Sequence, residues 1–169
     1  MRRNIFPKTL SAILITATMF SPPINTFART IEMDLPSIDN SFKTYMSYTA
    51  ITDKSSIQWD MQQSATTADN GIRMHDDRYM VAVGTYYSKE CGEKFNIYLD
   101  NGHILYCVTG DIKANKDTDC TNRYIEDNGN IIEFIVNTST IDNLARKMGD
   151  MSYSDNLDGS VVKIEKVVK

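Results

Sequence analysis

NIYLDNGHILYCVTGDIKANKDTD, residues 96–119, is the stretch whose reading decides the fold. Phe95 to Leu99 and Ile104 to Val108 are apolar runs rich in β-favouring side chains, with Asn101-Gly102 between them. Asn-Gly tolerates positive φ at both central positions of a type I′ turn, so the spacing predicts two paired strands. The second strand delivers Thr109, Gly110 and Asp111 to its end. Beyond it, Asp111, Lys113, Lys116, Asp117 and Asp119 gather three carboxylates and two ammonium groups in one loop, where binding or chemistry commonly sits.

On the N-terminal side, Asp69-Asn70-Gly71 predicts a turn, and Arg78 to Gly84 a short buried strand that ends at its glycine. Residues 41–65 mix helical spacing (Phe42, Tyr45, Met46, Thr49) with β-formers, which predicts a short helix and an extended piece. Tyr45, Tyr48 and Trp59 are candidates for a sugar-binding surface, because flat amphipathic rings stack on apolar sugar faces; ordinary half-buried packing is the competing assignment. On the C-terminal side, Tyr124 to Val136 predicts a second hairpin on Asn128-Gly129. Gly129 aligned on Gly102 sets Ile131 on Ile104 and Ile135 on Val108, a weak repeat that common turn chemistry also produces. Ser139 to Gly149 predicts a helix with Ile141, Leu144, Ala145 and Met148 on its packing face, Ser139 or Thr140 as N-cap and Gly149 as the left-handed closing residue. Ser160 to Val168 predicts a terminal strand. Several strands with one or two short helices indicate a mainly β domain.

Residues 1–28 carry Arg2, Arg3 and Lys8 before an apolar run from Leu10 to Phe20, then Thr26-Phe27-Ala28, the pattern of a secretory signal peptide. The apolar run is short of the ~20 residues a spanning helix needs, so no stable membrane span is expected in the mature form. Residues 29–40 are expected to be a flexible leader, and residues 41–169 a single domain. The formal charge of −4 becomes −7 once the three basic residues of the signal segment, residues 1–28, are removed. An acidic exported chain is a poor partner for nucleic-acid phosphates.

Three cysteines, Cys91, Cys107 and Cys120, allow at most one internal bridge. Cys107 and Cys120 bracket the polar loop and form the candidate disulfide; Cys91 with Cys107 is the alternative pairing. Without Cys-x-x-Cys or a histidine pair, neither a metal site nor a cofactor is expected. His75 and His103 sit beside turn signals, as exposed structural histidines do.

The segment VAVGTYYSKECGEKFNIYLDNGHILYCVTGDIKANKDTD, residues 81–119, resembles the exported double-psi β-barrel modules of Gram-positive bacteria: the three-aspartate domain and the rare lipoprotein A group, with expansins more distant. The corresponding elements are Val81-Ala82-Val83, Cys91-Gly92-Glu93, Asn101-Gly102 and Gly110-Asp111-Ile112-Lys113 with Asp119, and the resemblance extends over residues 80–169. It implies a six-stranded double-psi β-barrel-like domain that acts on or binds cell-wall polysaccharide. Asp111 then matches the family's acid/base and Asp119 its second aspartate, with Lys113, Tyr106, Thr109 and Asp117 around the substrate. Two family aspartates are missing, one replaced near Gly84 and the other at Asn137.

A carboxyl at a strand end, beside a glycine that permits close ligand approach, can donate a proton to a glycosidic oxygen. Lytic cleavage needs only one such group, whereas ordinary glycoside hydrolysis usually needs a pair. The alternative role for Asp111 is to accept loop amides and hold the loop in shape. The expected protein is therefore secreted or cell-wall-associated and binds or cleaves peptidoglycan glycan strands. The alternative is a non-catalytic interaction module whose partner is a protein of an envelope-spanning secretion or mobile-element apparatus.

Overall fold

The computed structural model describes residues 28–168. The signal-peptide assignment to residues 1–28 therefore lies outside the described residues, Ala28 excepted. Among the described residues, no helix is long and apolar enough to cross a membrane.

The described residues are mainly β, a single mixed sheet with two short helices. In order the elements are β1 (Arg29–Met33), β2 (Tyr45–Ser47), α1 (Ile57–Ser64), β3 (Thr66–Thr67), β4 (Arg73–His75), β5 (Arg78–Val83), β6 (Lys94–Leu99), β7 (Ile104–Ile112), β8 (Glu133–Val136), α2 (Asn143–Met148) and β9 (Val161–Val168). The sheet runs β1-β9-β6-β7-β5-β4-β3, and β8 branches from β5 to pair with β2. Its hydrogen-bonded path does not close, so the sheet is open where the resemblance implies a barrel.

The hairpin of β6 and β7 is where the sequence predicts it, and strict alternation makes it: Phe95, Ile97 and Leu99 are buried on β6, Leu105 and Cys107 on β7. Each large apolar side chain so buried contributes roughly 1.5–3 kcal/mol relative to exposure. The turn differs from the expected type I′. Only Gly102 has positive φ, at 90°, and Gly102 N–H donates to Leu99 while Leu99 N–H donates to His103. That is a three-residue loop closed by a left-handed glycine. Consecutive positive φ occurs instead at Asp76 and Asp77, between β4 and β5, where His75 pairs with Arg78.

β5 lies parallel to β7, and β2 parallel to β8. The main core collects Ile72, Val81, Phe95, Ile97, Ile132, Phe134, Val136, Met151 and Ile164. A second cluster under α1 contains Met80, Val108, Ile135, Ile51 and Met61. Tyr45 to Ser47 is extended, as its β-formers suggest, so the helical spacing of Phe42, Tyr45, Met46 and Thr49 makes no α-helix; the short helix is α1, further along, capped by Ser56, whose Oγ accepts from Trp59 N–H.

Three other expectations are corrected. Residues 29–33, expected within a flexible leader, form β1 against β9. Four of these five side chains are exposed, so backbone pairing holds a strand that shows no buried face in its sequence. The second hairpin lacks its first strand. Tyr124 instead joins the polar loop, its N–H donating to the Asp119 carboxylate and its carbonyl accepting from Asp119 N–H. Finally, α2 begins at Asn143, because Asp142 caps the N–H groups of Leu144 and Ala145 while Ser139 is held by the side chain of Asn137. Its stripe is divided. Ile141 and Ala145 are buried, whereas Leu144 and Met148 stand about half exposed; Gly149 closes the helix at φ 69° as expected.

Candidate functional site

β7 and the loop that follows it carry most of the residues singled out by sequence and distribute them over different environments. Opposite Val81 and Ala82 on β5, the register skips from Thr109 to Asp111, leaving Gly110 as the extra residue of a bulge. A Cβ on Gly110 would lie 2.7 Å from Ile135 Cδ1 and 2.8 Å from Met80 Cε. The glycine therefore admits core side chains rather than the close ligand approach expected there. The bulge re-aims the next side chain, as bulges do beside functional sites. Asp111, half-buried, accepts at Oδ1 from its neighbour Ile112 N–H at 2.9 Å and from Gln58 Nε2, in the first turn of α1, at 3.4 Å.

Asp119 is the loop's organiser. Buried to 4% exposure, its carboxylate accepts Thr121 N–H at 2.8 Å, the Thr121 hydroxyl, Arg123 N–H at 2.6 Å and Tyr124 N–H at 3.1 Å. Burial alone would raise this carboxyl, but these donors outweigh it and bring it down to about 2. The shape-holding role weighed for Asp111 thus belongs to Asp119. A group so held stays ionised and cannot serve as a proton donor near neutral pH.

The remaining candidates do not converge. Lys113 is buried, with Nζ donating to the Asn130 carbonyl at 2.9 Å, and burial pushes it down to about 8. Thr109 is fully buried, its hydroxyl directed to the Glu93 carbonyl. Tyr106 is exposed beneath the Arg78 guanidinium at 5.5 Å, and Asp117 is exposed in a 3-10 turn. A loop of charged residues thus hides two of them inside and turns the others outward.

The cysteines are free thiols, so the expected bridge between Cys107 and Cys120 is absent. The alternation that buries Phe95 opposite it also turns Cys107 into the core, whereas Cys120 is exposed. Burial pushes Cys107 up to about 12 and Cys91, with a further contribution from the Asp111 carboxylate, up to about 11. Neither is an activated nucleophile. Among the described residues, no group of three or more His, Cys, Asp or Glu side chains is gathered for a metal. His103 is exposed, but His75 is half-buried.

Two of the three aromatic candidates do share a site. Tyr48 and Trp59 line a depression of about 550 Å³ with Thr49, Lys54, Gln62 and Arg73. Tyr45 stands apart, its hydroxyl donating to the Arg146 carbonyl. Trp59, Gln62 and Gln63 follow helical i, i+3, i+4 spacing, which sets them on one side of α1. The Arg73 guanidinium carbon lies 4.7 Å from the Tyr48 ring centre, and Lys54 Nζ lies 5.7 Å from that of Trp59. Two rings edged by amides, hydroxyls and cations provide both apolar stacking and hydrogen bonding, the combination that a saccharide face requires. Helical spacing from Trp59 would have revealed the glutamines; nothing local in the sequence marks Arg73, which reaches the site from β4. The chain matches no protein-family model, no curated protein and no solved structure.

Proposed function

We propose that this chain is an exported, cell-wall-associated double-psi-barrel-like protein that binds peptidoglycan glycan strands without cleaving them. The observation that carries glycan binding is the depression in which Tyr48 and Trp59 stand beside polar Gln62 and Arg73. Binding is favoured over cleavage because the two carboxylates proposed for catalysis differ in circumstance. Asp119 is committed to four loop donors, and Asp111 has the Gln58 amide and the Ile112 amide as its partners, with Lys113 turned inside. Support for the barrel-like element comes from the order β9-β6-β7-β5-β8-β2, a run of six strands, and from two parallel pairs within the fold. Side chains span the gap between its ends: Asn40 exchanges two hydrogen bonds with the Val161 backbone, and Lys43 Nζ donates to the Gly159 carbonyl.

Co-sedimentation of the mature protein with purified sacculi, followed by mass spectrometry of the soluble fraction, tests this. Retention without anhydro-muramyl products is expected, with about tenfold weaker retention for Trp59→Ala, equivalent to ~1.4 kcal/mol. Anhydro-muramyl products that disappear in Asp111→Asn would instead establish cleavage. A second function, as an interaction module of an envelope apparatus, is favoured by Leu144, Met148 and Tyr153, which are 49%, 50% and 47% exposed on α2 and the turn after it. Protein capture by immobilised mature chain that is lost in Leu144→Ser/Met148→Ser, with no retention on sacculi, would favour that function.

A further inference from the structure

The depression beside α1 has an electrostatic character that sets it apart from the rest of this acidic chain. Lys54 and Arg73 line it, and no carboxylate does. Neither cation forms an ion pair among the described residues, although lysines elsewhere, such as Lys94, Lys163 and Lys166, do. The carboxylates adjoining in sequence are placed otherwise: Asp53 accepts the Ser55 N–H and hydroxyl, and Asp60 is exposed on α1 outside the lining.

Arg73 is the stronger case. Its guanidinium is half-buried and donates to Gln62 Oε1, the Thr67 hydroxyl and the carbonyls of Gln62 and Ala65, all neutral acceptors. Of the five N–H groups a guanidinium carries, one on Nη1 has no acceptor. Four bonds, two of them to backbone carbonyls, hold the fork, so the free donor has a set direction. A cation withdrawn from water and left without a counter-charge is unfavourable, and an anion arriving beside it offsets that cost. The Tyr48 ring beneath it is a quadrupole, not a charge, and does not neutralise it.

We infer that this depression selects a carboxylate-bearing saccharide, with the sugar face on Trp59 and Tyr48 and the carboxylate between Arg73 and Lys54. This inference rests on the glycan-binding function proposed above and names the chemical class of the ligand. A carboxylate accepts from the free Arg73 N–H and from the exposed Lys54 ammonium; an uncharged sugar stacks on the same rings but leaves both cations uncompensated. The selectivity is therefore a charge effect superimposed on stacking, and added salt erodes it.

Trp59 is the chain's only tryptophan, which makes its fluorescence a local report on this one site. The protein is titrated with N-acetylglucosaminyl-N-acetylmuramic acid, which carries a lactyl carboxylate, and with N,N′-diacetylchitobiose, which does not. We expect the charged disaccharide to bind at least tenfold more tightly at low salt, with the ratio falling below threefold at 0.5 M NaCl. Lys54 is exposed, and Lys54→Gln is expected to reduce the ratio at low salt by weakening the charged disaccharide more than diacetylchitobiose. Equal affinities for the two sugars would overturn the anion selectivity and leave glycan binding intact. If neither sugar perturbs Trp59 while the protein still sediments with sacculi, glycan binding lies elsewhere and the selectivity falls with this site. If neither sugar nor sacculi bind, the glycan-binding function itself fails.

Discussion

Asp119 accepts four hydrogen bonds from three residues that follow it, and this makes its protonation a test of the loop. Its folded value of about 2 lies below the ordinary aspartate value of 3.8. A carboxylate depressed in this way stabilises the fold fully above its unfolded value, and the stabilisation is lost as pH falls through the folded one. The window is therefore roughly pH 4 down to pH 2, and the contribution at neutral pH is about 2 kcal/mol. Asp119→Asn should lower urea-unfolding stability by about that amount at pH 7, with the difference from the parent shrinking toward zero as pH approaches 2. A difference that is already absent at pH 7 would contradict the organising role. Asp119 and Asp111 were equivalent in sequence as loop aspartates near a strand end. The distinguishing signal was the threonine two residues after Asp119, whose N–H and hydroxyl both bond its carboxylate, where Asp111 has Lys113 at the same spacing. Lys113 left no such signal, because the Asn130 carbonyl that accepts from its buried ammonium is distant in sequence.

At the scale of elements, legibility followed the locality of the forces. β6, β7 and β5 were readable because each carries its own apolar pattern and ends at turn residues; β1 was not, since pairing with β9 supplies what its side chains do not. Asn101-Gly102 and Asn128-Gly129 show the same dipeptide in different service. Gly102 and Gly129 both take positive φ, at 90° and 69°. A Cβ on Gly102 would meet nothing within 4 Å, whereas on Gly129 it would run into the Asp39 carbonyl oxygen. The first glycine serves only its turn, and the second also docks residues 38–39 onto the domain. Left-handed backbone costs a non-glycine roughly 1–2 kcal/mol, and overpacking adds about 1–3 kcal/mol. Gly102→Ala should accordingly cost about 1 kcal/mol in urea unfolding and Gly129→Ala at least twice that. Equal costs would mean that Asp39 yields without loss.

Over the whole molecule, the unanswered demand of an open sheet is what satisfies the backbone at its ends. β1 extends β9 on one side, yet the first residues of β9 face the segment before β2 rather than a strand. There Asn40, 7% exposed, donates from Nδ2 to the Val161 carbonyl at 2.9 Å and accepts Val161 N–H at Oδ1, also at 2.9 Å. The side-chain amide reproduces the paired exchange that a neighbouring strand would make. Lys43, fully buried, adds bonds from Nζ to the Ser41 and Gly159 carbonyls, and burial lowers its pKa despite Asp150, Asp100 and Asp158 nearby. None of this was visible in the chain, where Asn40 stood in an apparent leader and its partner lies far away in sequence. The consequence is concrete: Asn40→Ala leaves a buried N–H and a buried carbonyl unpaired, at about 1–3 kcal/mol for each group. Asn40→Asp keeps the acceptor but sets an anion against the Val161 carbonyl, so it should not rescue. Urea unfolding gives the total loss, and amide hydrogen exchange gives its place. The Val161 amide, slow to exchange in the parent chain, should become fast in Asn40→Ala while the Phe95 and Ile97 amides of β6 stay protected. A loss under about 0.5 kcal/mol with Val161 still slow would show that water or a shifted backbone replaces Asn40, and that the two ends of the six-strand run are not joined through it.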